Sequence, residues 1–189
     1  MDEKELIKIG MEVALRPVTE VAENAIGVLG GDWLSEKRRF NREKLVAKTD
    51  AALRRAGVKE PVEPSPSIVL PLLSEAQEES RDELLEIWGR LLAAAMDPVR
   101  CNTYRREFVT IAKQLEPIDA AVLRLLDTGG PLAPDRATYV ATTLGKPHDE
   151  VYLAFRNLAR MDLVQMSGGV ATQVPFVTLL GRQFLSIVA

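Results

Sequence analysis

Residues 67–98 read SIVLPLLSEAQEESRDELLEIWGRLLAAAMDP, and the second half of this stretch is the strongest helical pattern in the chain. Its apolar residues recur at helical spacing and share one face, namely Leu84, Ile87, Trp88, Leu91 and Ala95, with Leu85, Leu92 and Met96 extending it. Because the apolar surface covers two sides, we expect neighbours on both flanks. The pair Asp97-Pro98 ends the helix. The stretch therefore predicts a central core helix rather than an active site.

The start of this helix has the spacing of a capping box. Ser80 and Glu83 form an S-x-x-E pattern, in which the hydroxyl and the carboxylate each satisfy a backbone N–H of the first turn. We therefore predict that Ser80 caps the helix.

Composition limits the classes of protein that fit this chain. Its 189 residues, 47% of them hydrophobic, suffice for one large domain or two small ones, and the net charge of −3 gives no global attraction to nucleic acid or anionic membrane. The single cysteine, Cys101, excludes an internal disulfide and fits a reducing cytoplasm. From the charged first residues and the lack of a long uncharged apolar run we expect no signal peptide and no transmembrane helix. We predict a cytoplasmic protein.

Helical patterns fill the first third of the chain. Residues 3–29 predict a helix with a kink at Pro17. A second, basic helix is predicted over 33–56, with Asp32 as its N-cap and Gly57 as the residue that follows its C-terminus.

The remaining elements are predicted from periodicity and from turn residues. A proline-rich linker at 60–67 leads into the central region, and helices follow at 103–115 and from Pro117. The last third predicts helices at 135–144 and 147–161, strands at 163–166 and 170–178 around a tight turn at 167–169, and a closing helix at 179–188. This order is typical of a winged-helix domain.

The predicted fold class is mainly α, with an N-terminal helical domain followed by a C-terminal winged-helix-like domain that contains a short β-hairpin. We expect three parts: an N-terminal helical pair at 1–59, a central helical core at 60–115 and the winged-helix-like part at 116–189.

Several motifs in order resemble a known bacterial family. They are PSPSIVLPLLSEAQEESRDELLEIWGRLLAAAMDP at 64–98, FVTIAKQLEPIDAAVLRLL at 108–126 with its L-x-P-x-D step, VTLLGRQFLSIVA at 177–189, and the Gly-Asp-Trp at 31–33. Over about residues 20–185 the chain resembles the abortive infection alpha family. The resemblance implies a cytoplasmic protein of bacteria, or of a mobile element within them, that acts in defence against phage. It brings no catalytic residues that could be assigned to positions of this chain.

Residues that could carry chemistry lack partners at suitable spacing. His148, the only histidine, stands alone at a predicted helix start, and Cys101 is interpreted as a structural thiol. The acidic residues between 75 and 86 are spread along helix surfaces, which favours a solvated face over a metal site. Gly30-Gly31 lacks the context of a phosphate-binding loop. We predict no catalytic residue, no cofactor and no metal, although an enzyme is not excluded.

Two surfaces are candidates for binding. In the predicted recognition helix of the winged helix, the residues that would face a partner are Tyr152, Arg156 and Arg160, with Val151, Phe155 and Leu158 facing the core. Asp149 and Glu150 have the wrong sign for DNA phosphates, and the wing SGGVATQ has no Lys or Arg. These features favour a protein-interaction or packing module over a DNA reader.

The basic helix is the second surface. Its candidate polyanion-binding residues are Lys37, Arg38, Arg39, Arg42 and Lys44. The more ordinary interpretation is a solvated helix with mixed charges, or a helix that pairs with the acidic run at 75–86.

Taken together, the sequence predicts a phage-defence component without evident catalytic activity that acts through protein–protein contacts, with a protein partner or by self-association. The alternative is a winged-helix regulator that binds nucleic acid. A third hypothesis is peripheral membrane contact by the apolar side of residues 11–29.

Overall fold

The computed structural model describes residues 32–128, 136–167 and 174–188. The chain divides into two compact units, 1–40 and 41–189. The predicted helix at 3–29, with its kink at Pro17 and its proposed membrane contact, lies outside the described residues, as do Gly30-Gly31 and most of the predicted turn at 167–169.

Helices dominate the described part of the chain. They are α1 (Asp32–Arg55), α2 (Pro66–Ala76), α3 (Asp82–Met96), α4 (Glu107–Gln114), α5 (Pro117–Asp127), α6 (Arg136–Leu144), α7 (His148–Arg160) and α8 (Leu179–Val188). A single 3₁₀ turn within these ranges, Cys101–Thr103, lies between α3 and α4. Strands β1 (Val164–Ser167) and β2 (Val174–Val177) pair antiparallel between α7 and α8. The mainly α prediction with a short hairpin is therefore confirmed.

Helix α3 is the central helix that the sequence predicts. All of the residues of its predicted main face are buried, and the Trp88 side chain is only 2% exposed. The helix contacts α2, α4, α5 and α8, so both flanks are covered. It ends at Met96, and Asp97 follows as its C-cap with extended backbone. Burial of this apolar surface is the main contribution of α3 to folding.

The predicted cap of α3 is wrong. The N-cap residue is Arg81 rather than Ser80. The carboxylate of Glu79 accepts hydrogen bonds from the backbone N–H groups of Ser80 and Arg81, both at 2.9 Å, and also from the Arg81 guanidinium. A carboxylate is a stronger acceptor than a hydroxyl, and Glu79 therefore organises the turn before the helix.

The end of α1 follows the prediction. Gly57 has a φ of +71°, and its N–H donates to the carbonyl of Arg54 at 3.1 Å. The N–H of Val58 donates to the carbonyl of Leu53 at 3.0 Å. These two bonds form a Schellman motif, which requires a left-handed residue and so favours glycine.

Two predicted helices differ in detail. Helix α4 begins at Glu107 rather than at 103, because the chain forms the 3₁₀ turn at Cys101–Thr103 and is extended at Tyr104. From the sequence we expect Ile118, Ala121, Val122 and Leu125 as the apolar residues of the helix from Pro117, whereas the buried apolar residues of α5 are Ala120, Val122, Leu123 and Leu126. The second predicted strand is described only from Val174, so its start at 170 is not tested.

The predicted division at 59 and 115 stays a prediction, as does the winged-helix assignment. One hydrophobic cluster includes buried residues from both sides of 115, for example Trp88 of α3 and Phe155 of α7. The region after 115 thus shares its core with the region before it.

Tyr104, before α4, supplies a first testable prediction. Its ring packs edge-on against Phe108, with centroids 5.8 Å apart, and its buried hydroxyl has no hydrogen-bond partner within the described residues. The same burial raises the pKa of the Tyr104 hydroxyl above its usual value. An unsatisfied buried polar group costs about 1–3 kcal/mol, so Tyr104→Phe should stabilise the protein by about 1 kcal/mol in urea denaturation. A loss of stability instead would mean that the hydroxyl bonds to a group such as an ordered water.

Candidate interaction surfaces

The outer face of α7 carries an apolar pair beside two arginines. Val151, Phe155 and Leu158 are buried to 1% exposure or less, as predicted. On the opposite side Tyr152 is 47% and Leu153 65% exposed, and Arg156 and Arg160 are exposed as well. The structure therefore places the three predicted recognition residues at the surface and adds Leu153, which the sequence analysis did not single out. An exposed aromatic and leucine side by side suit a protein partner better than a phosphate backbone.

A buried carboxylate fixes α7 in place. Oδ2 of Asp119 accepts the amide of Asn157 on α7 at 2.6 Å and the backbone N–H of Glu116 at 2.8 Å. Burial raises the pKa of Asp119, although these hydrogen bonds oppose the rise. The aspartate of the L-x-P-x-D step therefore caps the first turn of α5 and holds the neighbouring helix. Its role is architectural.

A left-handed residue follows the same, C-terminal, end of α7. Asp162 has a φ of +56°, and the N–H of Leu163 donates to the carbonyl of Leu158 at 3.0 Å. Aspartate tolerates this conformation better than most residues. The C-terminal end of α7 is thus held by hydrogen bonds from two directions, which gives its outer face a fixed orientation there.

The predicted polyanion residues are spread along α1. Lys37, Arg39 and Arg42 are exposed, whereas Arg38 and Lys44 are half-buried. Arg39 lies 3.9 Å from the carboxylate of Glu36. The ε-amino group of Lys44 lies 3.4 Å from Asp82. Whether these residues bind a polyanion stays a prediction.

Further along α1, the basic residues meet the acidic run. Nζ of Lys48 donates to Asp82 at 2.9 Å and to Glu86 at 3.2 Å. Arg55 and Arg90 both donate to the same oxygen of Glu86, each at 3.1 Å. The sequence analysis offered, as one ordinary interpretation, that the basic helix pairs with the acidic run at 75–86. These contacts show that pairing. It joins α1 to α3 through one carboxylate with three cationic neighbours.

These contacts determine the protonation of Glu86 and Lys48. Burial alone would raise the pKa of Glu86, but hydrogen bonds from Lys48, Arg90 and Arg55 outweigh it and hold the pKa below its usual value. For Lys48 burial would lower the pKa, yet Asp82 and Glu86 raise it. Both groups therefore stay charged at neutral pH.

Glu86→Gln should destabilise the protein by about 1–2 kcal/mol at neutral pH, because three charge-assisted hydrogen bonds weaken. Since the folded-state pKa lies below the unfolded one, this stability is present above about pH 4.3 and is lost as the pH falls through the folded pKa. Thermal melts of both proteins from neutral to acidic pH measure the difference, which should shrink on acidification. Glu107→Gln, at an exposed residue 4.0 Å from Arg105, is the matched control and should change little. A pH-independent difference would contradict the assignment.

Residues considered for catalysis lie apart. His148 is exposed at the start of α7, and the thiol of Cys101 lies 3.5 Å from the carbonyl of Pro98. Within residues 32–128, 136–167 and 174–188, histidine, cysteine and carboxylate side chains form no group of three that could hold a metal ion. Over the same ranges, every helix is too short or too polar to cross a membrane.

Two glycines that the sequence analysis passed over are sites of close packing. A Cβ at Gly89 would lie 2.7 Å from Cβ of Lys48, so α1 and α3 touch here. A Cβ at Gly181 would lie 2.8 Å from a methyl group of Val177 and would overlap the carbonyl oxygen of Leu163. A glycine in the interior of a strong helical pattern is the sequence signal for such contacts.

The fold and its surfaces define a small, mainly helical protein. Its prominent polar feature is the charged contact between α1 and α3, and its prominent apolar feature is the exposed face of α7. The family model for abortive infection alpha matches residues 37–176, about three quarters of the chain, and the chain belongs to this family. The resemblance seen in the sequence motifs is thereby confirmed, over a shorter span than expected at both ends. No curated protein matches the chain.

Proposed function

We propose that this protein is a non-enzymatic component of abortive infection, a bacterial defence in which an infected cell stops growing or dies before phage are released. Membership of the abortive infection alpha family carries the proposal. The protein acts in the cytoplasm through contacts with a protein partner or with a second copy of itself.

The proposed contact surface is the outer face of α7. Tyr152 and Leu153 are exposed there, and the bonds of Asp119 and Asp162 that fix α7 support a preformed surface. We further propose that α6, α7, the hairpin and α8 form a winged-helix-like unit, which the order of these elements supports. In this unit the recognition helix presents its face to protein rather than to DNA.

Growth of bacteria that carry this protein, with its native neighbouring genes, tests the defence proposal. Phage are added at low and at high multiplicity. Protection of the culture at low multiplicity with collapse at high multiplicity is expected, because each infected cell is sacrificed. Normal plating of phage at both multiplicities would overturn the proposal.

A matched pair of surface variants tests the contact face. Leu153→Asp places a charge on α7, and Leu70→Asp places the same charge on α2, where the leucine is equally exposed at 66%. Both variants should melt like the parent, since neither residue is buried. Protection should be lost only in Leu153→Asp. Protection retained in that variant would exclude this face of α7, while the defence proposal itself would stand.

A further inference from the structure

The ends of α1, α3 and α8 enclose a small cavity of about 130 Å³. Alanines, three arginines and one carboxylate line it; the lining residues that matter here are Ala52, Ala56, Arg55, Arg90, Arg100 and Asp97. Small side chains leave the space open, and guanidinium groups present several donors at fixed angles.

Positive charge exceeds negative charge around this cavity. Glu86 serves three cations, as described above, and Asp97 lies 3.6 Å from Nε of Arg100. An additional anion in the cavity would balance this excess of positive charge.

Hydrogen bonds to the carbonyl groups at helix C-termini explain only part of this arginine cluster. Arg90 does donate to the carbonyl of Val188 at the end of α8, at 2.9 Å. The carbonyl of Met96 at the end of α3 instead accepts the N–H of Val62 at 2.8 Å, and the Schellman bonds satisfy the end of α1. The contacts described above involve one nitrogen of Arg55, two nitrogens of Arg90 and one nitrogen of Arg100. Each guanidinium group has five N–H donors in total.

A wider groove of about 580 Å³ adjoins the cavity and shares Ala56, Asp97 and Arg100 with it. Val58 and Val99 line the groove together with Pro98 and the charged residues Lys59 and Glu60, and Val99 is 78% exposed. The volume of the groove is within the usual range of small-molecule sites, about 300–1,000 Å³. The narrow part suits a charged group, and the wider part suits the apolar or aromatic remainder of a ligand.

We propose that this two-part cavity binds a small phosphate-bearing molecule about the size of a nucleoside monophosphate. The phosphate group lies in the narrow part on Arg55, Arg90 and Arg100, because guanidinium forks match phosphate oxygens bidentately. The remainder of the ligand lies in the groove against Val58 and Val99. This site goes beyond the proposed defence function and is independent of the α7 face.

The test measures thermal stabilisation and binding by calorimetry with inorganic phosphate, nucleoside monophosphates and the corresponding nucleosides, all at matched ionic strength. Phosphate should raise the melting temperature more than chloride does, and a monophosphate should bind about tenfold or more tightly than phosphate. The nucleosides should bind weakly. Equal melting in phosphate and chloride, with no monophosphate binding, would overturn the site.

Three variants test where on the protein the phosphate-bearing ligand binds. Arg100→Gln removes a half-buried arginine that lines both parts of the cavity, and Ala56→Leu enlarges a residue that both parts share; Arg105→Gln removes an exposed arginine elsewhere. Binding should fall about tenfold or more in the first two variants and stay unchanged in the third. An equal loss in all three, or none in any, would show that the anion binds elsewhere. Equal affinity for phosphate and monophosphate would overturn the role of the groove.

Discussion

Trp88→Ala should remove a large share of the stability of this protein and can leave the variant partly unfolded at physiological temperature. The side chain is 2% exposed in the middle of α3, which packs against α2, α4, α5 and α8. Replacing a buried Trp by Ala costs about 3–5 kcal/mol, because transfer free energy is lost and a cavity remains. Domains of this size are stable by only about 5–15 kcal/mol, so the variant loses a large share of its stability.

Urea denaturation followed by circular dichroism measures this loss, with protein solubility as a second reading. Trp88→Phe should be soluble and lose less, since it keeps an aromatic ring in the same space. Leu70→Ala is the control for removal of a large apolar side chain, because Leu70 is 66% exposed. A Trp88→Ala protein that melts like its parent would show that Trp88 is accessible and belongs to a partner site.

The central helix was predictable because its information is local and repeated. Eight apolar residues at helical spacing and the pair Asp97-Pro98 determine its face and its end, and burial follows from that pattern. Gly57 was predictable for the same reason, since a Schellman motif needs a left-handed residue directly after a helix.

The misplaced cap has a local cause of a different kind. Ser80 has the right spacing to Glu83, but the carboxylate of Glu79, one residue earlier, accepts the Ser80 N–H that Glu83 would have accepted, and the Arg81 N–H as well. The spacing of residues in a sequence does not show which of two competing side chains accepts a hydrogen bond from a given backbone N–H. The face of α5 was misjudged because Asp119, a residue expected at the surface, is buried by its bond to Asn157 of a distant helix.

The sequence alone could not predict the candidate surfaces fully, because they form where residues distant in the chain come into contact. The sequence left open whether the basic helix binds a polyanion or pairs with the acidic run, and the contacts of Lys48 and Arg55 with Glu86 show that pairing for its C-terminal half. The cavity beside Arg90 had no counterpart in the sequence analysis. Its arginines come from positions 55, 90 and 100, and their spacing shows nothing unusual until the helices converge.

Gly181→Ala should destabilise the protein by about 2–3 kcal/mol, the cost of overpacking a fixed contact. Helix propensity alone would predict the opposite, a gain of about 1 kcal/mol. The new Cβ would overlap the carbonyl oxygen of Leu163 and lie 2.8 Å from Val177. The first turn of α8 cannot shift away, because Thr178 accepts the Gly181 N–H at 3.0 Å, and its hydroxyl donates to the carbonyl of Asp162.

Ser186→Ala, at an exposed position of the same helix, is the control for propensity and should be neutral or slightly stabilising. Adding Val177→Ala to Gly181→Ala separates the two contacts. Since the carbonyl of Leu163 belongs to the backbone, removing the valine methyl groups leaves the main overlap in place, and the double variant should remain destabilised in thermal and urea melts. If Gly181→Ala were as stable as its parent, α8 would have room to move, and this glycine of the L-G-R-x-F motif would need an explanation other than packing.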